Sequence, residues 1–125
     1  MTSLDLSAYD HDYEGGVIRG AMEGTTPLHS GNIIYPLISP VGDWFYDSAS
    51  SAHDDNDIAY HTTNDTHGLN YYELKPAIKL SKIVDAIEAK YGITFTSTFF
   101  SDSKFTDLFM WCLSLIHISE PTRPY

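Results

Sequence analysis

Leu74-Lys-Pro-Ala-Ile-Lys-Leu80 runs directly into Ser81-Lys-Ile-Val-Asp-Ala-Ile-Glu-Ala-Lys-Tyr-Gly92, and a change of hydrophobic period inside this stretch decides the fold class. In its first half, Leu74, Pro76, Ile78 and Leu80 alternate with Glu73, Lys75, Ala77 and Lys79. Alternation with a period of two predicts a strand, because successive side chains of a strand point to opposite faces. In its second half, Ile83, Val84, Ile87 and Tyr91 fall on one face at helical spacing, with Lys82, Asp85 and Glu88 mostly outward. Ser81 stands where an N-cap belongs, and Gly92 stands where a helix ends in a left-handed residue. Strand followed by helix, with cap and stop signals in agreement, predicts a compact unit.

Reading onward, Ile93-Thr-Phe95 is expected to form a second strand. Asp102 or Ser103 is expected to cap a second helix, with Phe105, Leu108, Phe109 and Cys112 on one face. Residues 71–112 are therefore read as a small strand–helix–strand–helix unit, its core carried by Ile83, Val84, Ile87 and Phe105.

Reading backward, residues 1–70 are irregular. Gly15-Gly16 reads as a turn before the short apolar piece Val17–Met22, and Thr25-Thr26-Pro27 is another break. Asn32-Ile-Ile-Tyr-Pro-Leu-Ile38 is β-branched and aromatic and predicts a strand, with Pro36 confining it to an edge or a bulge. Ser39-Pro-Val-Gly-Asp43 makes a turn, and Trp44-Phe-Tyr46 is either a short strand or an aromatic plug over the core. From Asp47 to Asn70 the chain is rich in Ser, Asp, Asn, Thr and His and reads as a long loop. The whole is α+β: an irregular, β-rich first half, then the unit at 71–112.

Charge follows the same division. Residues 1–70 hold eleven acids against one base, Arg19; residues 71–112 hold five acids and five lysines. The acidic half repels nucleic-acid phosphate, which argues against DNA or RNA as a partner. Its plain reading is a solvated surface. An aromatic share of 14% separates the chain from disordered segments, which are poor in such residues. The one cysteine, Cys112, allows neither a disulfide framework nor a cysteine-based zinc site. It fits a reducing cytoplasm. Met1–Asp10 lacks the basic start and apolar run of a secretory signal, and no stretch approaches the ~20 apolar residues of a membrane helix.

The last stretch, Leu113-Ser-Leu-Ile-His-Ile-Ser-Glu-Pro-Thr-Arg123, resembles the translation of a transposon-end adapter used in DNA libraries, residue for residue. Residues 113–125 are accordingly expected to be non-native, and the natural sequence to be truncated near Cys112.

The run Tyr72–Phe95, with Phe99-Phe100 and Phe105-Thr-Asp-Leu-Phe109, resembles a segment of tailed-bacteriophage tail proteins. There a Leu-x-Pro-Ala-Ile-Lys/Arg-Val strand leads into Ile-Ile-Asp/Glu-Ala-Ile, and a Tyr-Gly-Ile-x-Phe stop precedes an aromatic helix. Ile34-Tyr-Pro-Leu-Ile-Ser-Pro40 is similar to a segment found upstream of it. The resemblance spans roughly residues 31–112. It implies a non-enzymatic virion structural component of the tail tip, baseplate or tail fibre, made in the bacterial host cytoplasm. The partners it implies are other tail subunits in a homo-oligomeric assembly. It implies no catalytic residue.

The residues themselves offer few sites. His53-Asp-Asp-Asn-Asp57, with His61, Asp65 and His67, is rich in metal-ligand types, but its spacing fits neither a calcium loop nor a histidine pair on a helix. A solvated acidic loop is the better reading. Asp10-His11-Asp12 invites an acid–base role, which needs a pocket and a perturbed pKa; an exposed surface segment is the plainer account. Ser, His and Asp are plentiful, yet no Gly-x-Ser-x-Gly elbow holds a nucleophile. Tyr71-Tyr72, Tyr60, Trp44 and Tyr46 are suited to stacking on sugars, which leaves a carbohydrate- or receptor-binding module for a host surface glycan as the alternative. Such rings more often cover a core or an interface. No catalytic, cofactor-binding or metal-binding residue is assigned.

Overall fold

The computed structural model describes residues 3–39, 42–47, 56–58 and 69–112. Within them lie three helices, α1 (Gly15–Glu23), α2 (Leu80–Tyr91) and the single-turn α3 (Ser103–Thr106), and three short strands, β1 (Ile33–Ile34), β2 (Ala77–Lys79) and β3 (Phe109–Trp111). The strands form one antiparallel sheet in the order β1-β2-β3. The chain is of mixed α+β class, as its periods predict.

Strand β2 forms where the alternation ends, and it sits in the middle. Ile33 and Ile34 face Ile78 and Ala77 on one side; Phe109, Met110 and Trp111 face Lys79, Ile78 and Ala77 on the other. Pro76, which lacks a backbone donor, lies just before the strand, and its carbonyl accepts the Cys112 amide at 2.8 Å. β1 ends two residues before Pro36, so the predicted strand at 32–38 is cut to its first half.

Helix α2 follows with the expected stop; Ile83, Val84 and Ile87 of its expected face are half-buried, but Tyr91, in the last turn, is 61% exposed. Gly92 adopts φ 64°, the left-handed conformation that costs glycine least. Its start differs from expectation: Lys79 is the N-cap residue, and Ser81 lies within the first turn. The reason is tertiary. The Leu80 amide already donates to the Leu108 carbonyl at 2.9 Å, so one of the orphan donors of the helix start is satisfied without a capping side chain.

Beyond α2 the structure departs from the strand–helix pattern. Ile93–Phe95 is exposed and forms no strand. Both edges of β2 are already occupied, so this segment has no ladder to join there. Asp102 does cap α3, accepting the Lys104 amide at 2.8 Å. The helix stops after Thr106, however, and Phe109–Trp111 turns into β3. The helical spacing of Phe105, Leu108, Phe109 and Cys112 loses to strand pairing: Phe105 is buried, whereas Leu108 is exposed.

In the first half, Gly15–Glu23 is a helix where the sequence predicts a turn at Gly15-Gly16 and a short apolar piece. Val17, Ile18, Ala21 and Met22 recur at helical spacing, and Arg19 pairs with Glu23 one turn on at 2.7 Å. Gly20 is required by contact: a Cβ there would collide with the Thr26 side chain. The central core joins Ile18, Ile33 and Tyr35 from the first half to Leu74 and Ile78 from the second, with Leu6, Tyr9, Tyr13, Leu28, Trp44, Ile83 and Cys112 packed around it. Of the expected core residues, Phe105 is buried and Ile83 flanks the core, while Val84 and Ile87 are half-buried. Trp44 thus acts as a partial plug, while Phe45 bridges to Asp57. No described helix is long and apolar enough to cross a membrane.

Candidate functional site

The densest chemistry among the described residues is a cluster of histidines and tyrosines between residues 9 and 35. The segment 3–13 lies over the core through Leu6, Tyr9 and Tyr13. Among the described residues its backbone-to-backbone hydrogen bonds stay inside the segment, from the Tyr9 amide to Leu6 and from the Asp10 amide to Ser7. Side chains tie it to the rest.

His11 and Tyr35 form the centre. Immediately after β1, Tyr35 is buried, and its hydroxyl lies 2.6 Å from His11 Nε2. The other ring nitrogen, Nδ1, is 3.0 Å from the Tyr9 carbonyl oxygen. A carbonyl only accepts, so Nδ1 carries the proton and Nε2 of the neutral ring accepts from Tyr35. Burial pushes the Tyr35 phenol well above its ordinary value, with Tyr13 and Cys112 adding to the rise. Tyr35 is therefore a donor held in its neutral form.

A turn brings in the second histidine. His29 and Ser30 adopt φ 47° and 58°, and Gly31 follows at 83°. Left-handed backbone costs a non-glycine residue roughly 1–2 kcal/mol. It places His29 edge-on to Tyr9, centroids 5.6 Å apart, and 6.1 Å from His11. His29 Nε2 donates to the Asp10 carbonyl at 3.0 Å. Tyr13 completes the set: its hydroxyl donates toward the Leu74 carbonyl at 2.8 Å and the Tyr71 carbonyl at 3.1 Å, and its ring stacks on Tyr35. Lys75 Nζ lies 5.9 Å from that ring.

The expected acid–base candidates divide. His11 is part of the cluster, but its ring turns to Tyr9 and Tyr35, not to Asp10 or Asp12, whose exposed side chains flank it. His53, Asp54, Asp55, Tyr60, His61, Asp65, His67 and the segment 113–125 lie outside the described residues. Asp57 is described, and it is buried at 2% exposure, not solvated; its Oδ1 accepts the Asp47 amide at 3.1 Å. Among the described residues no group of three His, Cys, Asp or Glu side chains is placed to hold a metal ion. Burial raises the Cys112 thiol, opposed by a backbone hydrogen bond at Ile78, so it is a weak nucleophile.

A groove of about 520 Å³ lies nearby, with Ile18, Met22, Leu69 and Leu74 as apolar walls and Asn70 and Tyr71 at its side. Neither His11 nor Tyr35 lines it. The pair stands apart from this groove and joins the segment 3–13 to the core, which is the geometry of a clasp. Tyr35, Tyr13 and His29 were not legible as partners of His11, because the contact joins positions 24 apart in sequence and no local spacing signals it. The chain matches no protein-family model, no curated protein and no solved structure.

Proposed function

We propose that the chain is part of a virion structural subunit of a phage tail or baseplate, acting by packing against other subunits. The observation that carries this reading is the apolar surface of residues 93–110. Ile93, Phe95, Phe99, Leu108 and Met110 are each between 44% and 53% exposed. Phe100 meets the rings of Phe95 and Phe99, and Phe99 and Phe100 lean on buried Phe105, at centroid distances of 5.1 to 6.0 Å. β3 is an edge strand of the sheet among the described residues and carries exposed Met110. Exposed aromatic rings and an open sheet edge are features of subunit contacts. The resemblance of residues 31–112 to tail proteins agrees with it.

Sedimentation velocity over a micromolar concentration series tests the reading. The chain is expected to self-associate, and Phe99→Asp to weaken association about tenfold, a typical effect for a central aromatic contact. The melting temperature should hold, since Phe99 is 53% exposed. A chain that stays monomeric at every concentration removes the support.

A second reading has its own observation. Tyr71 and Tyr72 are exposed at 42% and 58%, and Tyr71 flanks the groove beside Asn70. A ring next to an amide suits a sugar face and its hydroxyls. Glycan-array binding that disappears in Tyr71→Ala would favour this module over the packing role.

A further inference from the structure

We propose that the His11–Tyr35 contact is an acid-sensitive clasp that holds the segment 3–13 against the core at neutral pH and loosens it on acidification. Such a clasp is independent of the structural role proposed above.

Hydrogen-bond polarity sets its behaviour. His11 Nδ1 faces the Tyr9 carbonyl and must donate. Nε2 must then accept from the Tyr35 hydroxyl, and the two lie 2.6 Å apart. A proton added to the ring goes to Nε2 and sets donor against donor. The hydroxyl must swing to another acceptor, and among the described residues its hydrogen-bond partner is His11. At 5% exposure Tyr35 has little access to water. A buried donor without an acceptor is unfavourable, so the rings separate.

Other titratable groups stand around the pair. Asp10 and Asp12 flank His11 on the same segment. His29 faces it from the turn, 6.1 Å between centroids. Tyr9 packs edge-on to His29, Tyr13 stacks on Tyr35, Lys75 lies over Tyr13, and Cys112 adjoins Tyr35. His29 keeps its bond to the Asp10 carbonyl in either protonation state, because Nε2 donates in both. The polarity conflict therefore belongs to His11 alone.

The segment is built to respond. Its ties to the body are the His11, Tyr13 and His29 contacts and the packing of Leu6, Tyr9 and Tyr13, with no described backbone ladder. Loss of one tie lowers its local stability while the sheet keeps its own bonds.

Amide hydrogen exchange on the full chain, corrected for the intrinsic effect of pH, tests the clasp. Protection at Tyr9 and Asp10 is expected to fall about three- to tenfold between about pH 7.5 and about pH 5, the span over which a histidine changes charge and one hydrogen bond is lost. Lys79 and Leu80, bonded to Asn32 and Leu108, serve as references and should hold. Tyr35→Phe keeps the ring and removes the donor, and His11→Gln removes the titration; both should flatten the response. A wild-type response that is flat, or one that persists in full in His11→Gln, overturns the proposal. Should a variant fail to fold, the ¹⁵N shifts of the wild-type His11 ring decide: a neutral ring protonated on Nε2 overturns it, and one protonated on Nδ1 supports it.

Discussion

Gly92 shows how a single position carries a fold boundary. Its φ of 64° lies where an L side chain crowds the following carbonyl, and nothing stands within 4 Å of the place a methyl group would take. Gly92→Ala therefore acts through the backbone alone and should lower stability by about 1 kcal/mol in urea unfolding, with Gly92→Asn costing less. Tyr35 acts through its proton. Its phenol is raised in the folded state, so the neutral form is the one the fold favours. That contribution is whole below the ordinary phenol value of about 10. As pH climbs past it, the unfolded chain gives up a proton the folded chain keeps, and stability falls. Tyr35→Phe should make the alkaline decline shallower, at a loss of about 1 kcal/mol at neutral pH from the missing hydrogen bond to His11. Thermal melts across alkaline pH measure both effects.

At the scale of elements, legibility follows the range of the forces. Helix α2, the Ile83, Val84 and Ile87 part of its apolar face and its glycine stop were readable because each depends on neighbours within a few positions. The Asp102 cap was readable for the same reason. β3 was not. Phe105, Leu108, Phe109 and Cys112 recur as a helix would have them, and only pairing with β2, some thirty positions upstream, makes 109–111 a strand. Ile93–Phe95 fails in the opposite sense: its residues suit a strand, but the edges of β2 are taken. Helix α1 hid behind its glycines at 15, 16 and 20, whose weak propensity is outweighed by burying Ile18 at 1% exposure. The candidate site was the least legible part, since the cluster is assembled from a turn, a strand end and a strap that share no motif. The sheet also predicts where truncation hurts most. Ile78 sits in β2 at 2% exposure, between β1 and β3. Ile78→Ala should cost about 2–5 kcal/mol by denaturant unfolding, more than Val84→Ala on the half-buried flank of α2.

At the scale of the whole sequence, net charge is unevenly divided. The first 70 residues carry the net negative charge, while residues 71–112, which include exposed Phe95, Phe99, Leu108 and Met110, balance five acids with five lysines. Association through the aromatic surface should therefore persist at high ionic strength, because apolar burial is little screened by salt. Salt-insensitive sedimentation of the wild type, beside a Phe99→Asp variant that associates about tenfold more weakly at every ionic strength, would bear this out.

The central position of β2 reaches beyond the finished protein. Its partners lie at 33–34 and 109–111, so neither ladder closes until the ribosome has passed Lys79, and the second waits for Trp111. A chain cut short after Phe100 has the residues of one ladder and lacks the other, and a protease should cut it far faster than the full 125 residues.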